Sequence, residues 1–319
     1  MNKVAVDIGS GYTKYYLGPT GRLGSFKSLS ARLAKEDTLL FKPGIVSFCD
    51  SEQQEICFCV GEECDRFTDP AVVEDTLNEN WYGSHAWLAL LYKVLSMSGI
   101  EDGPIRLVTG LPVGEYRKHK ERIEVLLTGR HVFSVGSKLY DIEIAPLLYP
   151  QALASLYHFC SNEFNGGYDL GVIDIGTYTT GFGVISKNEL QPGLCGGMKY
   201  GVSNLKESLE QFVSDRFGQG VDSDKILNVL KRKRIRSMGH RVDIHGELEE
   251  LVRLGAFTIF QEVRKSWSYS HLESMRIVIA GGGGNCFLES LDDIFPNAFI
   301  CADPFYSVVK GFWELVSCE

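Results

Sequence analysis

The chain contains no apolar run near the roughly 20 residues that a bilayer crossing requires, which excludes a helical membrane span. A basic and apolar leader is missing too; the first apolar run, Val4-Ala5-Val6, reads as a strand, and a cytoplasmic location is expected. Nor is there a disulfide framework. The nine cysteines (Cys49, Cys57, Cys59, Cys64, Cys160, Cys195, Cys286, Cys301 and Cys318) are odd in number and unspaced, which suits reduced thiols. Cys57, Cys59 and Cys64 cluster, but no second ligand pair has zinc spacing, and Cys57 and Cys59 would share one strand face. Positive charge is short: 32 Lys and Arg against 41 Asp and Glu give a net charge of -9, which disfavours broad attraction to nucleic acid. One exception is Lys231-Arg232-Lys233-Arg234-Ile235-Arg236. It follows Ile226, Leu227, Val229 and Leu230 and is expected to be the basic, solvated end of a helix, with nucleotide contact or a partner or DNA surface as alternatives.

What is present suits a globular chain of two domains or one large bilobed one, 319 residues long. Strands are expected at Val4–Val6, Ile45–Phe48, Ile56–Val60, Ile105–Thr109, Leu170–Asp174, Gly181–Ile185 and Ile277–Ala280. Helices are expected at Ser84–Ser96, Glu115–Leu127, Gln151–Phe159, Val202–Phe217, Leu248–Ser266 and Phe305–Val316. The mixture is α/β.

Two stretches repeat one pattern. Val4 to Lys14 and Gly171 to Thr180 each give a β-branched strand, then Asp-Ile-Gly, then small or hydroxyl residues, and then an apolar return, as in a hairpin. A facing pair of such turns would aim backbone N–H groups and the carboxylates of Asp7 and Asp174 at one cleft, which suits a magnesium-bound polyphosphate. An ordinary Asx turn is the alternative for either aspartate. A third element, Ile277 to Ala280 followed by Gly281-Gly282-Gly283-Gly284-Asn285, is a buried strand ending in four glycines, with a helix expected from Cys286 to Leu291. Bare backbone there would admit a purine and ribose, and a flexible loop is the alternative. His85, His119, His158 and His271 show no carboxylate or nucleophile partner and are expected to be surface or packing residues.

These three elements, in this order and at these separations, resemble the actin-like ATPase superfamily. Asp7 and Lys14 stand seven positions apart, as in actin's version of the motif. Pro150-Gln151-Ala152-Leu153-Ala154-Ser155-Leu156-Tyr157 resembles the actin helix that carries the water-positioning glutamine. Asn80-Trp81-Tyr82, Val108 to Tyr116, and Lys199-Tyr200-Gly201-Val202-Ser203-Asn204-Leu205 look like the plasmid-segregating actins of the ParM or StbA type. Thr177-Tyr178 and Gly181 depart from the usual second hairpin.

The resemblance implies an actin-like bilobed fold of two related RNase-H-like domains with a nucleotide in the interdomain cleft. Domain I would be 1–150, with the C-terminal helix (about 305–319) packing back on it, and domain II would be 151–304. ATP, with GTP as an open alternative, would bind with Mg2+ held largely through water by Asp7 and Asp174. Gly9, Ser10, Gly11, Tyr12, Thr13 and Lys14 would contact phosphate, as would Gly176, Thr177, Tyr178 and Thr179. Gly281 to Asn285 would take the adenosine, and Lys199 or the region of Lys231 is a candidate near the ribose. Gln151 would orient the attacking water, with Asp7 and Asp174 completing the catalytic set. The implied function is a homopolymer filament that segregates plasmid DNA through a DNA-binding adaptor, or positions another cargo. A small-molecule kinase and a chaperone-like ATPase on the same fold are the alternatives.

Overall fold

Strand β1 (Asn2–Ile8) buries both faces, because alternate residues meet different layers. Val4, Val6 and Ile8 enter a core with Trp87, Leu91 and Phe133, whereas Ala5 meets Val309 and Phe312. In the computed structural model that shows this, the described residues are 1–34, 44–66, 73–74, 76–78, 80–163, 169–187, 189–218, 228–230, 232–237, 240–295 and 298–317. Ile226, Leu227, Lys231 and Cys318 lie outside them. The chain divides into two compact units, Met1–Asn162 with Tyr306–Glu319, and Glu163–Phe305.

The first unit is built on β1, β2 (Tyr12–Leu17), β3 (Arg22–Lys27), β4 (Ser30–Arg32), β5 (Val46–Cys49), β6 (Glu55–Val60), β7 (Asp102–Leu111), β8 (Gly129–Val135) and β9 (Lys138–Pro150), in the sheet order β3-β2-β1-β7-β9-β8-β5-β6-β4. β1, β7 and β9 run parallel at its centre, so their C-terminal ends share one edge. Helix α1 (His85–Ser96) begins at Ser84, whose hydroxyl accepts from the Trp87 N–H, and it carries Trp87, Leu90 and Leu91 into the larger core. Helices α2 (Val113–Leu127) and α3 (Gln151–Glu163) follow β7 and β9. The last helix, Ser307–Ser317, packs on the opposite face, and Gly311 lies so near the Ala154 carbonyl of α3 that any Cβ there would collide with it.

A buried polar contact ties α1 to β8. His131 Nε2 lies 3.0 Å from the Leu127 carbonyl and must donate to it, and in the neutral ring Nδ1 accepts from the Tyr92 hydroxyl at 2.9 Å. Burial holds this imidazole below its ordinary value of 6.5. The unfolded chain binds the proton more readily, so the contribution is complete above the unfolded pKa and is lost as pH falls toward the folded one. The denaturation midpoint should therefore drop as pH falls below about 6.5, and His131→Gln should flatten that drop. Parallel profiles for the two proteins would remove His131 as its cause.

The second unit is built on β10 (Leu170–Ile175), β11 (Thr180–Ser186), β12 (Glu189–Leu190), β13 (Gly196–Met198), β16 (Arg276–Ala280) and β17 (Ala298–Ile300), ordered β12-β11-β10-β16-β17 with β13 pairing β11. Its neighbours alternate antiparallel, antiparallel, parallel, parallel, as do β3-β2-β1-β7-β9, so each unit carries the same five-strand frame. Helices α4 (Val202–Phe217), α5 (His245–Ser266) and α7 (Gly284–Ile294) enclose Ile173, Ile175, Phe182, Trp267 and Phe287. Between α5 and β16 lies the short α6 (Tyr269–Ser274), and the Ser307–Ser317 helix of the first unit is α8.

One expectation is overturned. The basic run is a helix end only at its start: Arg232 is helical and the Lys233 N–H donates to the Val229 carbonyl at 2.8 Å, but Lys233 then turns the chain with φ 53°, and Arg234–Ser237 is strand β14, paired with β15 (His240–Asp243). Ile235 is buried with Leu209, Val213 and Ile244, which anchors a hairpin where helical continuation would have pointed that residue into solvent.

Candidate functional site

The parallel register of β1, β7 and β9 brings Asp7 and Gln151 to the same sheet edge, where ligands of open α/β sheets gather. Asp7 is 2% exposed, yet both of its oxygens are engaged. Oδ2 accepts from Lys14 Nζ at 2.8 Å, and Oδ1 accepts from Gln151 Nε2 at 2.8 Å. Lys14 reaches Asp7 because the two are directly paired across β1 and β2. A buried carboxylate would be costly alone, and the lysine and the amide offset that cost.

The turn beyond Asp7 is closed by the Gly9 N–H donating to the Tyr12 carbonyl at 3.2 Å. Its remaining carbonyls are occupied from elsewhere in the first unit. Ser28 Oγ donates to the Gly9 carbonyl at 2.5 Å, Thr76 Oγ1 to that of Ser10 at 3.0 Å, and the Ser28 N–H to that of Gly11 at 3.0 Å. Thr13, fully buried, shares a 2.9 Å hydrogen bond with Ser28. No carbonyl among the described residues accepts from the N–H of Ser10 or Gly11. With its acceptors used and these donors left over, the turn is suited to an anion.

The second turn repeats the closure, the Gly176 N–H donating to the Thr179 carbonyl at 2.8 Å. Here the start of α4 takes up the turn's carbonyls: Val202 N–H donates to Gly176 at 3.2 Å, and Ser203 N–H to Thr177 at 2.8 Å. Thr180 Oγ1 donates to the Tyr200 carbonyl at 2.9 Å. The Thr177 N–H has no carbonyl acceptor among the described residues. Asp174 is half-buried and pairs across the hairpin with Gly181, so the position that holds Lys14 in the first turn has no side chain in the second.

The glycine loop packs on this turn. Gly281 has φ +80° and lies against Asp174 and Ile175, a conformation and a space that no Cβ tolerates. Gly283 donates to the Ile175 carbonyl at 2.8 Å and is wedged between Ile175 and Val202. Gly281, Gly283 and Gly284 are buried, leaving Gly282 and Asn285 exposed as the surface a base could approach. Lys199 is exposed between β13 and α4, next to Tyr200.

Within the first unit, then, Asp7, Gly9 to Lys14 and Gln151 come together; within the second, Asp174, Gly176 to Thr179 and Gly281 to Gly284 do. Sequence reading missed Ser28 and Thr76, whose hydroxyls set the first turn, because an isolated serine or threonine far along the chain carries no local signature. It also misjudged one histidine. His158 Nδ1 lies 2.6 Å from Glu314 of α8 and has a carboxylate partner, and His119 Nε2 lies 3.1 Å from Glu115 one turn before it, close but without hydrogen-bond geometry. His85 stands edge-on to the Phe48 ring, and His271 caps its own helix through Ser268. Among the described residues, no three His, Cys, Asp or Glu side chains form a metal cage. Single aspartates such as Asp7 and Asp174 fit a hydrated magnesium ion that brings its own phosphate ligands. No helix among these residues is long and apolar enough to cross a membrane.

Residues 5–153 match the family model "Actin like proteins N terminal domain", and residues 172–293 match "Archaeal actin homologue MreB-like, C-terminal". No curated protein sequence matches the chain. Among solved structures, the chain is similar to the archaeal actin homologue Ta0583 in complex with ADP, at 18% identity and TM-score 0.81 with all of both chains covered. It is similar to a ParM from Clostridium botulinum, solved as a 15-stranded filament, at 21% identity and TM-score 0.77, covering 100% of this chain and 99% of that one. The actin-like protein Alp7A has TM-score 0.75 at 14% identity, with 99% and 97% covered.

Proposed function

From the premise that this chain belongs to the actin-like superfamily, each half matching a domain of that family, we propose that it is an ATPase that polymerises with ATP and whose filament turns over on hydrolysis. The observation that carries the reading is the Asp7–Gln151 contact beside the amides of Ser10 and Gly11, from which no carbonyl among the described residues accepts. The ADP complex of an archaeal relative and the filament of a ParM relative support it. We place plasmid DNA, joined through a DNA-binding adaptor, as the cargo, and the cytoplasm as the setting, on the ParM likeness.

In this reading the amides of Ser10, Gly11 and Thr177, with the Thr177 and Thr179 hydroxyls and the Lys14 ammonium, hold the β and γ phosphates, Tyr12 and Tyr178 contribute backbone donors, and Thr13, its hydroxyl spent on Ser28, braces the turn. Magnesium, when bound, would neutralise phosphate charge, its waters held by Asp7 and Asp174. Gln151 does not need to be a base. Because its Nε2 donates to Asp7, its Oε1 is oriented to accept from a water, and phosphoryl transfer through a loose transition state needs that water aligned more than deprotonated. Gly282 and Asn285 offer backbone to the base, which leaves ATP and GTP to be compared directly.

Light scattering tests the proposal. Signal should rise above a critical protein concentration with magnesium and ATP, and decay as product accumulates, since a head-to-tail contact that does not close into a ring yields an open filament. Flat scattering with every nucleotide, together with turnover stimulated by a sugar acceptor, would replace it with a kinase.

A further inference from the structure

We infer that the β14–β15 hairpin is a docking surface for an acidic segment of a second copy of this chain, the stretch that begins at Asp50. The inference rests on the filament reading and names a contact within it.

The hairpin has two unlike faces. Ile235 and Val242 pair with each other, and Ile235 is buried in a small core with Leu209, Val213 and Ile244. The alternate positions place Arg234 across from Asp243 and Arg236 across from Arg241, and all four residues are exposed. Like charges directly opposite each other do not by themselves favour a strand pair, so Arg236 and Arg241 concentrate positive charge at one place on the hairpin. Arg232, also exposed, adds to the same end of the unit. Residues 231–242 hold six Lys and Arg and no acid in a chain of net charge -9.

The complementary charge lies in the same sequence. Residues 50–79 contain ten Asp and Glu against one arginine, Arg66. Of these, Glu52, Glu55, Glu62 and Asp65 are exposed on and around the β5–β6 hairpin and the turn that follows it. Arginine suits carboxylates because its planar fork donates two parallel hydrogen bonds. Nucleic acid suits the hairpin less well: no Phe, Tyr or Trp between residues 231 and 243 offers a base a stacking platform, and the net charge repels a polyanion.

Pelleting of full-length protein with ATP and magnesium, across a salt series, tests this. Arg236→Glu with Arg241→Glu should raise the critical concentration at least tenfold while leaving the thermal shift caused by ATP and magnesium unchanged. Glu52→Lys with Glu55→Lys should do the same, and the four changes together should restore assembly. Both charge variants assembling like wild type, with the same salt dependence, would overturn the inference and leave the filament reading standing. Wild type that never pellets would sink both. Binding of a DNA duplex that is lost in the arginine variant, with assembly intact, would reassign the hairpin to nucleic acid.

Discussion

Gln151→Ala is expected to bind ATP as wild type does and to release phosphate about a hundredfold more slowly. The wild-type amide has one end fixed on Asp7 at 2.8 Å, and a group held in this way contributes to the aligned transition state and little to ground-state binding. The variant's polymer should outlast that of wild type, because the triphosphate state persists. Gln151→Glu sharpens the test, since a second carboxylate beside Asp7 would repel it and weaken binding as well. Weaker ATP binding by the alanine variant with normal turnover would show that Gln151 holds nucleotide and does not orient water.

Asp7→Ala is expected to abolish the thermal shift caused by ATP and magnesium and also to lower the stability of the free protein. The second effect follows from burial: the aspartate and lysine side chains are 3% and 13% exposed, and removing one partner strands the other's charge, at a cost of about 3–5 kcal/mol. The two losses can be separated. Asp7→Ala with Lys14→Met removes both charges and should recover much of the stability without recovering the ligand shift, since an apolar replacement of a buried pair is often neutral. A double variant that regains the nucleotide shift would take Asp7 and Lys14 out of the site.

The two Asp-Ile-Gly turns were legible in the sequence because everything that makes them is local: a β-branched strand, a glycine and a return strand within eight residues of each other. The spacing of Asp7 and Lys14 was legible too, but their ion pair was not read from it; it follows from the hairpin register, which sets Lys14 directly opposite Asp7. The hydroxyls of Ser28 and Thr76 were not, because they arrive from 19 and 66 residues away and nothing beside them marks the destination. Strand β9 went unread because Pro146 and the half-exposed Leu147 break its alternation. The basic run misled because Ile226, Leu227, Val229 and Leu230 have helical spacing, while the left-handed turn at Lys233 uses a residue that rarely adopts it. The four glycines were read as one surface for a ligand; the structure adds a reason for them that the sequence does not carry, since each also lies against protein atoms, Gly281 against Asp174, Gly282 against Phe305, Gly283 against Ile175 and Val202, and Gly284 against Ile279.

Helix α4 does more than cover the second sheet. Its first amides are fastened to the carbonyls of the Gly176–Thr177 turn, and Leu209 and Val213 on its far half seat the arginine hairpin through Ile235. At 16 residues it is a strut about 24 Å long, and a helix of that length bends little. Turn and hairpin are therefore joined through one stiff element. Should nucleotide binding shift the Gly176–Thr177 turn, the shift is expected to reach the hairpin as matched changes in amide hydrogen exchange at Val202, Ser203 and Ile235, and changes confined to Val202 and Ser203 would show that it stops at the turn.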